Sequence, residues 1–158
     1  MAMTTKRSAG LLLHRRRGDG AREVLIGHMG GPLWASRDEA AWSIPKGEYA
    51  EDEEPAAAAR REFEEELGLQ PPAGDWSPLG EIRQANGKRV VVWAVEGDLD
   101  TSLVVPGTFT MEWPPGSGVR REFPEIDRAE WLTPAAARPR LVAGQREFLD
   151  RLARLLGE

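Results

Sequence analysis

Between Gly47 and Leu69 the chain reads GEYAEDEEPAAAARREFEEELGL, and the residues with most chemistry in it are Glu62, Glu65 and Glu66. A helix advances ~100° per residue, so these three carboxylates would fall within an arc of ~100°. Like charges so close repel, and a helix gains nothing by gathering them unless something positive sits between them. Oxygen-only ligation suits magnesium or manganese, and magnesium commonly leaves several of its positions to water and substrate phosphates. The implied substrate is anionic and phosphorylated. Taken alone, an acidic run reads as a solvated helix face. Here it stands in register with Gly47, Glu53, Arg61 and Gly68. At about one chance in ten per fixed residue, seven such matches arise by accident in roughly one chain of this length per 10⁵.

The neighbouring sequence supplies elements able to position these groups. Pro55 is tolerated in a first helical turn, and Ala56 to Ala59 followed by Arg, Glu and Leu favour helix. A helix is predicted from about Glu54 to Leu67, with Gly68 as its stop. Upstream, Ala9 to His14 and Glu23 to His28 read as strands joined by a Gly18-Asp19-Gly20 turn. Arg15, Arg16 and Arg17 would form a solvated basic cluster at that turn. A loop with Gly30-Gly31-Pro32 follows, then a short apolar segment, Ala41 to Ile44, which feeds Pro45-Lys46-Gly47. Gly47 therefore sits where a strand hands over to a loop and then to the acidic helix.

Beyond the helix, Pro71 to Gly74 reads as a loop, and Leu79 to Gln84 and Arg89 to Val95 as strands, the second apolar enough to be central. Pro106 to Gly118 is expected to be an ordered loop or extended hairpin bordering the site. Ala129 to Leu132 reads as a short strand, Thr133-Pro134 as a helix start, and Gln145 to Leu155 as an amphipathic helix. Strands interleaved with helices give a mixed sheet covered on both faces. Of six tryptophans, Trp42, Trp93 and Trp131 are expected in the core, and Trp34 and Trp113, in loops, are candidates for stacking a purine. His14 and His28, each alone on a strand, are expected to be structural.

The segment resembles the signature of the Nudix hydrolases: Gly, five residues, Glu, seven residues, Arg-Glu-apolar, any residue, Glu-Glu, any residue, Gly-apolar. All fixed positions are present, and Phe63 fills an apolar slot that is more often aliphatic. The box covers 23 of 158 residues, and the order of the flanking segments also fits. The resemblance implies an α/β fold, an α/β/α sandwich with the signature forming loop, helix and loop beside a mixed sheet. It also implies that Glu62, Glu65 and Glu66 carry magnesium or manganese, with the main-chain carbonyl of Gly47 as a further ligand. Arg61 would hold the carboxylates in place and Glu53 would support them from behind. Lys46, just before the box, is a candidate phosphate contact. Many members supply one more acid six positions before a tryptophan that starts the last strand. Glu125, six before Trp131 in FPEIDRAEW, fits as metal ligand or general base, with Glu112 in FTMEWPPGSG as second choice.

The resemblance implies hydrolysis of a nucleoside diphosphate linked to another group. RSAGLLLHRR, EVLIGHM and WSIPKGEY are similar to asymmetrical diadenosine tetraphosphate hydrolases, which points to a dinucleoside polyphosphate. Inositol pyrophosphates, ADP-ribose and oxidised nucleoside triphosphates are the alternative substrates, and a non-catalytic ligand-sensing module is the alternative class. That last reading is disfavoured because no signature carboxylate is missing.

Composition sets outer bounds. The chain of 158 residues suffices for one domain, and neither a linker nor a repeat divides it. A net charge of -5 argues against a nucleic-acid polymer as partner. Without cysteine there is no thiol nucleophile, disulfide or zinc-thiolate site. The N-terminal MAMTTKRSAGLLLHRRR has too short an apolar run for a signal peptide, and no segment is apolar over the ~18 residues a membrane span needs. A cytoplasmic protein free of membrane is expected, with a homodimer only as a family-level expectation.

Overall fold

The computed structural model describes residues 6–158; the first five residues of the N-terminal stretch lie outside them. The centre of the fold is the ten-residue strand β1 (Arg7–Arg16), buried from Ser8 to His14. It lies parallel to β6 (Arg89–Glu96), which in turn pairs antiparallel with β5 (Ser77–Arg83). The predicted central strand is therefore central, between β1 and β5. On its other side β1 meets β2 (Arg22–Met29) only from His14 to Arg16, and the two strands diverge below that point. The chain later fills this fork. β3 (Trp42–Ser43) pairs with the far end of β2, and β4 (Lys46–Glu48) pairs antiparallel with Ser8 to Gly10 of β1. Pro45 between them accepts a hydrogen bond from the Leu11 main-chain N–H at 3.1 Å. Gly47 is thereby fixed opposite Ala9, in the mouth of the fork.

Alternation along β1 divides the core. Leu11 and Leu13 pack with Phe63 and Leu67 of helix α1 (Pro55–Leu67), while Leu12 faces Ile26, Trp42, Ile44 and Phe148 on the opposite side. That second side is covered by α2 (Pro134–Arg140) and α3 (Glu147–Leu156). The result is the expected α/β/α arrangement. Helix α1 starts at Pro55 and ends at Gly68, whose left-handed φ of 68° lets its N–H reach the Glu64 carbonyl. Thr133 caps α2 by accepting from the Ala136 N–H. The C-terminal helix begins two residues later than predicted because Ala143–Gln145 forms a 3₁₀ turn.

The segment expected as a loop or hairpin between Pro106 and Gly118 extends further. It forms a separate two-stranded sheet, β7 (Thr108–Glu112) with β8 (Arg120–Pro124), before β9 (Ile126–Leu132) joins the edge of β2. The strand predicted over Ala129 to Leu132 thus starts three residues earlier.

The arginine cluster is largely solvated as expected, with Arg16 and Arg17 exposed and Arg15 half-buried, but it is not confined to the turn. β1 runs through Arg16, so only Arg17 sits in the turn, and the strand brings the other guanidinium groups within reach of carboxylates distant in sequence. Arg15 pairs with Glu23 and Asp98, and Arg16 pairs with Glu158. Trp42 is fully buried; Trp93 and Trp131 are packed at the margin of the α1 side of the core. His28 is structural as expected, with Nδ1 2.8 Å from the Asp127 carboxylate and Nε2 2.6 Å from the Arg37 carbonyl. Among the described residues no helix is long and apolar enough to cross a membrane.

Candidate active site

Helix α1 presents Phe63 and Leu67 to the sheet, and the same rotation turns its glutamates toward the strand–loop junction at Gly47. Contact there is close. A Cβ on residue 47 would lie 1.9 Å from Cδ of Glu62, so only glycine lets this backbone lie against that carboxylate. Glu62 keeps 12% of its side chain exposed, Glu65 51%.

Arg61 binds these groups together. Its Nε and Nη2 donate to the two carboxylate oxygens of Glu53 at 2.9 and 3.0 Å, a two-pronged contact. Nη1 donates to Glu62 at 2.8 Å and to Glu65 at 3.3 Å, and Nη2 also reaches the Glu48 carbonyl at 3.3 Å. One guanidinium thus straps the helix to the loop that carries Gly47. It holds the Glu53 carboxyl below the usual range, and Arg61 itself is pushed further toward its charged form, chiefly by Glu53.

Glu66, Glu62 and Glu125 are shifted the opposite way. Burial pushes the Glu66 carboxyl up to about 8, opposed by the Lys46 charge and reinforced by Glu125 and Glu62. Burial also raises Glu62, against the pull of Arg61. Glu125 is raised by burial and then by Glu62 and Glu65. The charges of Glu62 and Glu125 thus bear on Glu66, and those of Glu62 and Glu65 on Glu125, with Lys46 beside Glu66. Glu125 reaches the cluster because its main-chain N–H donates to the Gly107 carbonyl at 2.8 Å, while the Gly107 N–H donates to the Glu65 carbonyl at 2.9 Å. Glu112 does not join them. It accepts from the Gly118 N–H at 3.0 Å, out in the β7–β8 turn.

Among the described residues no three histidine, cysteine or carboxylate side chains stand gathered as a ready-made cage. Glu62 and Glu65 are held by Arg61 instead. The donor set nonetheless fits a hard divalent cation: oxygen ligands only, a glycine backbone against one of them, and carboxylates whose pKa values burial raises. Glu62, Glu65, Glu66, Glu125 and the Gly47 carbonyl are the groups able to hold it.

Lys46 also lines a recess of about 470 Å³, with Trp34, Met29, Gln84, Asn86 and Lys88 around it. Its size suits a small ligand. Trp34 is partly buried against the core, and the Arg37 guanidinium lies 5.7 Å from its ring. Trp113 is elsewhere, at the outer end of β7, where its N–H donates to the Val119 carbonyl at 2.9 Å. The two tryptophans proposed for stacking thus occupy different parts of the molecule.

Sequence reasoning missed Gln84, Asn86 and Lys88, which belong to the β5–β6 turn and carry no motif. It also missed Gln145. That fully buried amide accepts from the Ile44 N–H at 2.8 Å and donates to the Ser43 hydroxyl at 3.0 Å, fixing the segment that leads into Lys46 and Gly47. A lone glutamine at a predicted helix start gives no signal of such a role.

The family model for the NUDIX domain matches residues 4–152. No curated protein matches by sequence. Among solved structures, the C. elegans Ap4A hydrolase in a binary complex is similar at a TM-score of 0.66 and 20% identity, with 97% of this chain and 98% of that chain covered. The NUDIX domain of Shewanella oneidensis NrtR complexed with ADP ribose gives a TM-score of 0.66 at 14% identity, covering 98% of this chain and 90% of that one. RenU, a Nudix hydrolase from M. Smegmatis, gives 0.57 at 23% identity, covering 95% and 84%. At these identities the likeness is one of fold.

Proposed function

The chain belongs to the Nudix family of pyrophosphohydrolases, and from that premise we propose that it hydrolyses a dinucleoside polyphosphate with magnesium, as a single domain acting in the cytoplasm. The observation that carries the proposal is the seating of the Glu62 carboxylate against the Gly47 backbone under the Arg61 strap, with Lys46 shared between Glu66 and the adjoining recess. A divalent cation held there supplies a water of lowered pKa and neutralises charge on the phosphates.

The protein groups do the rest. Glu125 takes the proton of the attacking water, its raised pKa bringing it nearer the working pH than an ordinary carboxylate. The new bond forms from the water oxygen to phosphorus as the anhydride P–O bond breaks, and the leaving phosphate keeps the electron pair. Arg61 touches no substrate; it fixes Glu62 and Glu65 through the strap to Glu53. Lys46 contacts a phosphate, and Trp34 offers its ring to a base in the recess. Similarity of the RSAGLLLHRR and WSIPKGEY segments to diadenosine tetraphosphate hydrolases supports the choice of substrate, and the fold shared with the C. elegans Ap4A hydrolase is compatible with it.

The test is product formation, resolved by anion-exchange chromatography, from purified protein with magnesium across diadenosine tetraphosphate, ADP-ribose, an oxidised nucleoside triphosphate and an inositol pyrophosphate. The dinucleotide should give the highest kcat/KM. A higher value for any other member of the panel replaces the substrate assignment, and no turnover with magnesium or manganese refutes the enzymatic reading.

A further inference from the structure

The β7–β8 sheet carries an aromatic and cationic face that the hydrolytic groups do not use. Its roots are tied to the site. Besides the Gly107 bonds to Glu65 and Glu125, the Gly30 N–H donates to the Glu125 carbonyl at 3.0 Å. Beyond those roots, among the described residues, no other strand or helix packs extensively against either strand, so the hairpin projects as an arm.

Antiparallel pairing opposes Phe109 to Phe123 and Met111 to Arg121, and the Trp113–Val119 hydrogen bond continues the ladder. Alternation puts these six side chains on one face and Thr110, Glu112 and Glu122 on the other. At the root the Phe109 and Phe123 rings pack 6.0 Å apart. Phe109 also lies so close to Gly31 that a Cβ there would come within 2.8 Å of its ring. Further out, Met111 and Trp113 stay half-buried, and Val119 is 52% exposed. Arg121 is exposed and, like its neighbour Arg120 on the opposite face, has no carboxylate partner among the described residues.

We propose that this face binds the second nucleoside phosphate of a dinucleoside polyphosphate, its base against Trp113 and Met111 and its phosphate on Arg121, while the Trp34–Lys46 recess takes the first. The inference rests on the substrate reading above. A substrate with a nucleotide at each end needs a subsite on each side of the broken bond, and the recess accounts for one. The arm leaves the site at Glu125 and carries Arg121 four residues away, about 13 Å along an extended strand. An aromatic platform beside an unpaired cation is the chemistry of a nucleotide, since a base stacks and a phosphate pairs. An inositol phosphate would use the cation alone.

The experiment measures KM for diadenosine tetraphosphate and for ATP, the latter as substrate or as competing inhibitor, in wild type, Arg121→Ala, Arg121→Lys and Trp113→Ala. The ratio of the dinucleotide KM to the ATP constant should rise roughly tenfold in both alanine variants, with Arg121→Lys between wild type and Arg121→Ala. Circular dichroism and light scattering on the same samples check fold and oligomeric state. Because Arg121 is exposed, Arg121→Ala carries the result if Trp113→Ala fails to fold. An unchanged ratio in a wild type that turns over the dinucleotide overturns the arm assignment alone. A changed oligomeric state makes the face a contact between copies and overturns it too. A wild type that hydrolyses no dinucleotide refutes the substrate reading and takes the arm's ligand with it.

Discussion

Replacing Gly47 with alanine is the smallest change that should disable the site. A Cβ at that position would stand 1.9 Å from Cδ of Glu62 and 2.0 Å from its Oε2, while ordinary contact begins near 3.4 Å. Roughly 1.5 Å must therefore be found, either by the Glu62 carboxylate or by the backbone that carries the Gly47 carbonyl. Glu62 is not free to swing, because Arg61 holds it at 2.8 Å and is itself held by Glu53. Misplacing a reacting group by ~1 Å costs about 10²-fold in rate, so kcat/KM should fall by at least about 10²-fold. Overpacking should also lower stability by about 1–3 kcal/mol, a fall in Tm of several degrees for a chain of this size. Steady-state formation of the nucleotide products with magnesium gives the rate, and a thermal melt gives the stability. Gly18→Ala is the control, since nothing lies within 4 Å of a Cβ there. A folded Gly47→Ala protein with kcat/KM within threefold of wild type would show that this close contact does not position Glu62 for the reaction.

Glu125→Gln should lower kcat by about 10²-fold or more, the scale of a lost general base, while Glu112→Gln leaves turnover within twofold; equal rates for the two variants would remove Glu125 from the mechanism. In the metal-free protein the Glu66 pKa is raised in the folded state to about 8 from an ordinary 4.5, so its contribution to stability is fully present below about 4.5 and is lost as pH rises toward 8. The increase in Tm on adding magnesium should accordingly grow from pH 5 to pH 8, and grow less in Glu66→Gln; a wild-type increase independent of pH would contradict this. Gln145→Leu strands the buried Ile44 N–H, while the Ser43 hydroxyl keeps its bond to the Ile44 carbonyl, and should cost about 1–3 kcal/mol; chemical denaturation within 0.5 kcal/mol of wild type would show that water replaces the amide.

Local chemistry made much of this protein legible in its residues. Pro55, the alanine run and Gly68 marked the bounds of α1 because helix starts and stops are set within a few residues of themselves. The apolar runs from Ala9 and Arg89 identified strands for the same reason, and the spacing of Glu62, Glu65 and Glu66 fixed their common face through helix geometry alone. Other features depend on contacts between segments far apart in sequence. Gly47 meets Glu62 only because β1 and β2 diverge and β4 enters the fork. Glu125 reaches the acids through main-chain bonds at Gly107 that no side-chain pattern records. Gln145 braces Ile44 across 101 positions of sequence, and the strap from Arg61 to Glu53 and Glu48 follows from how the loop folds back on the helix. The ion pairs of Arg15 and Arg16 leave no local signal, because Asp98 and Glu158 are adjacent to them only after folding. Sequence determined which groups lie on the helix; tertiary structure decided what they face, because that depends on non-local pairing and on which charges burial leaves unpaired.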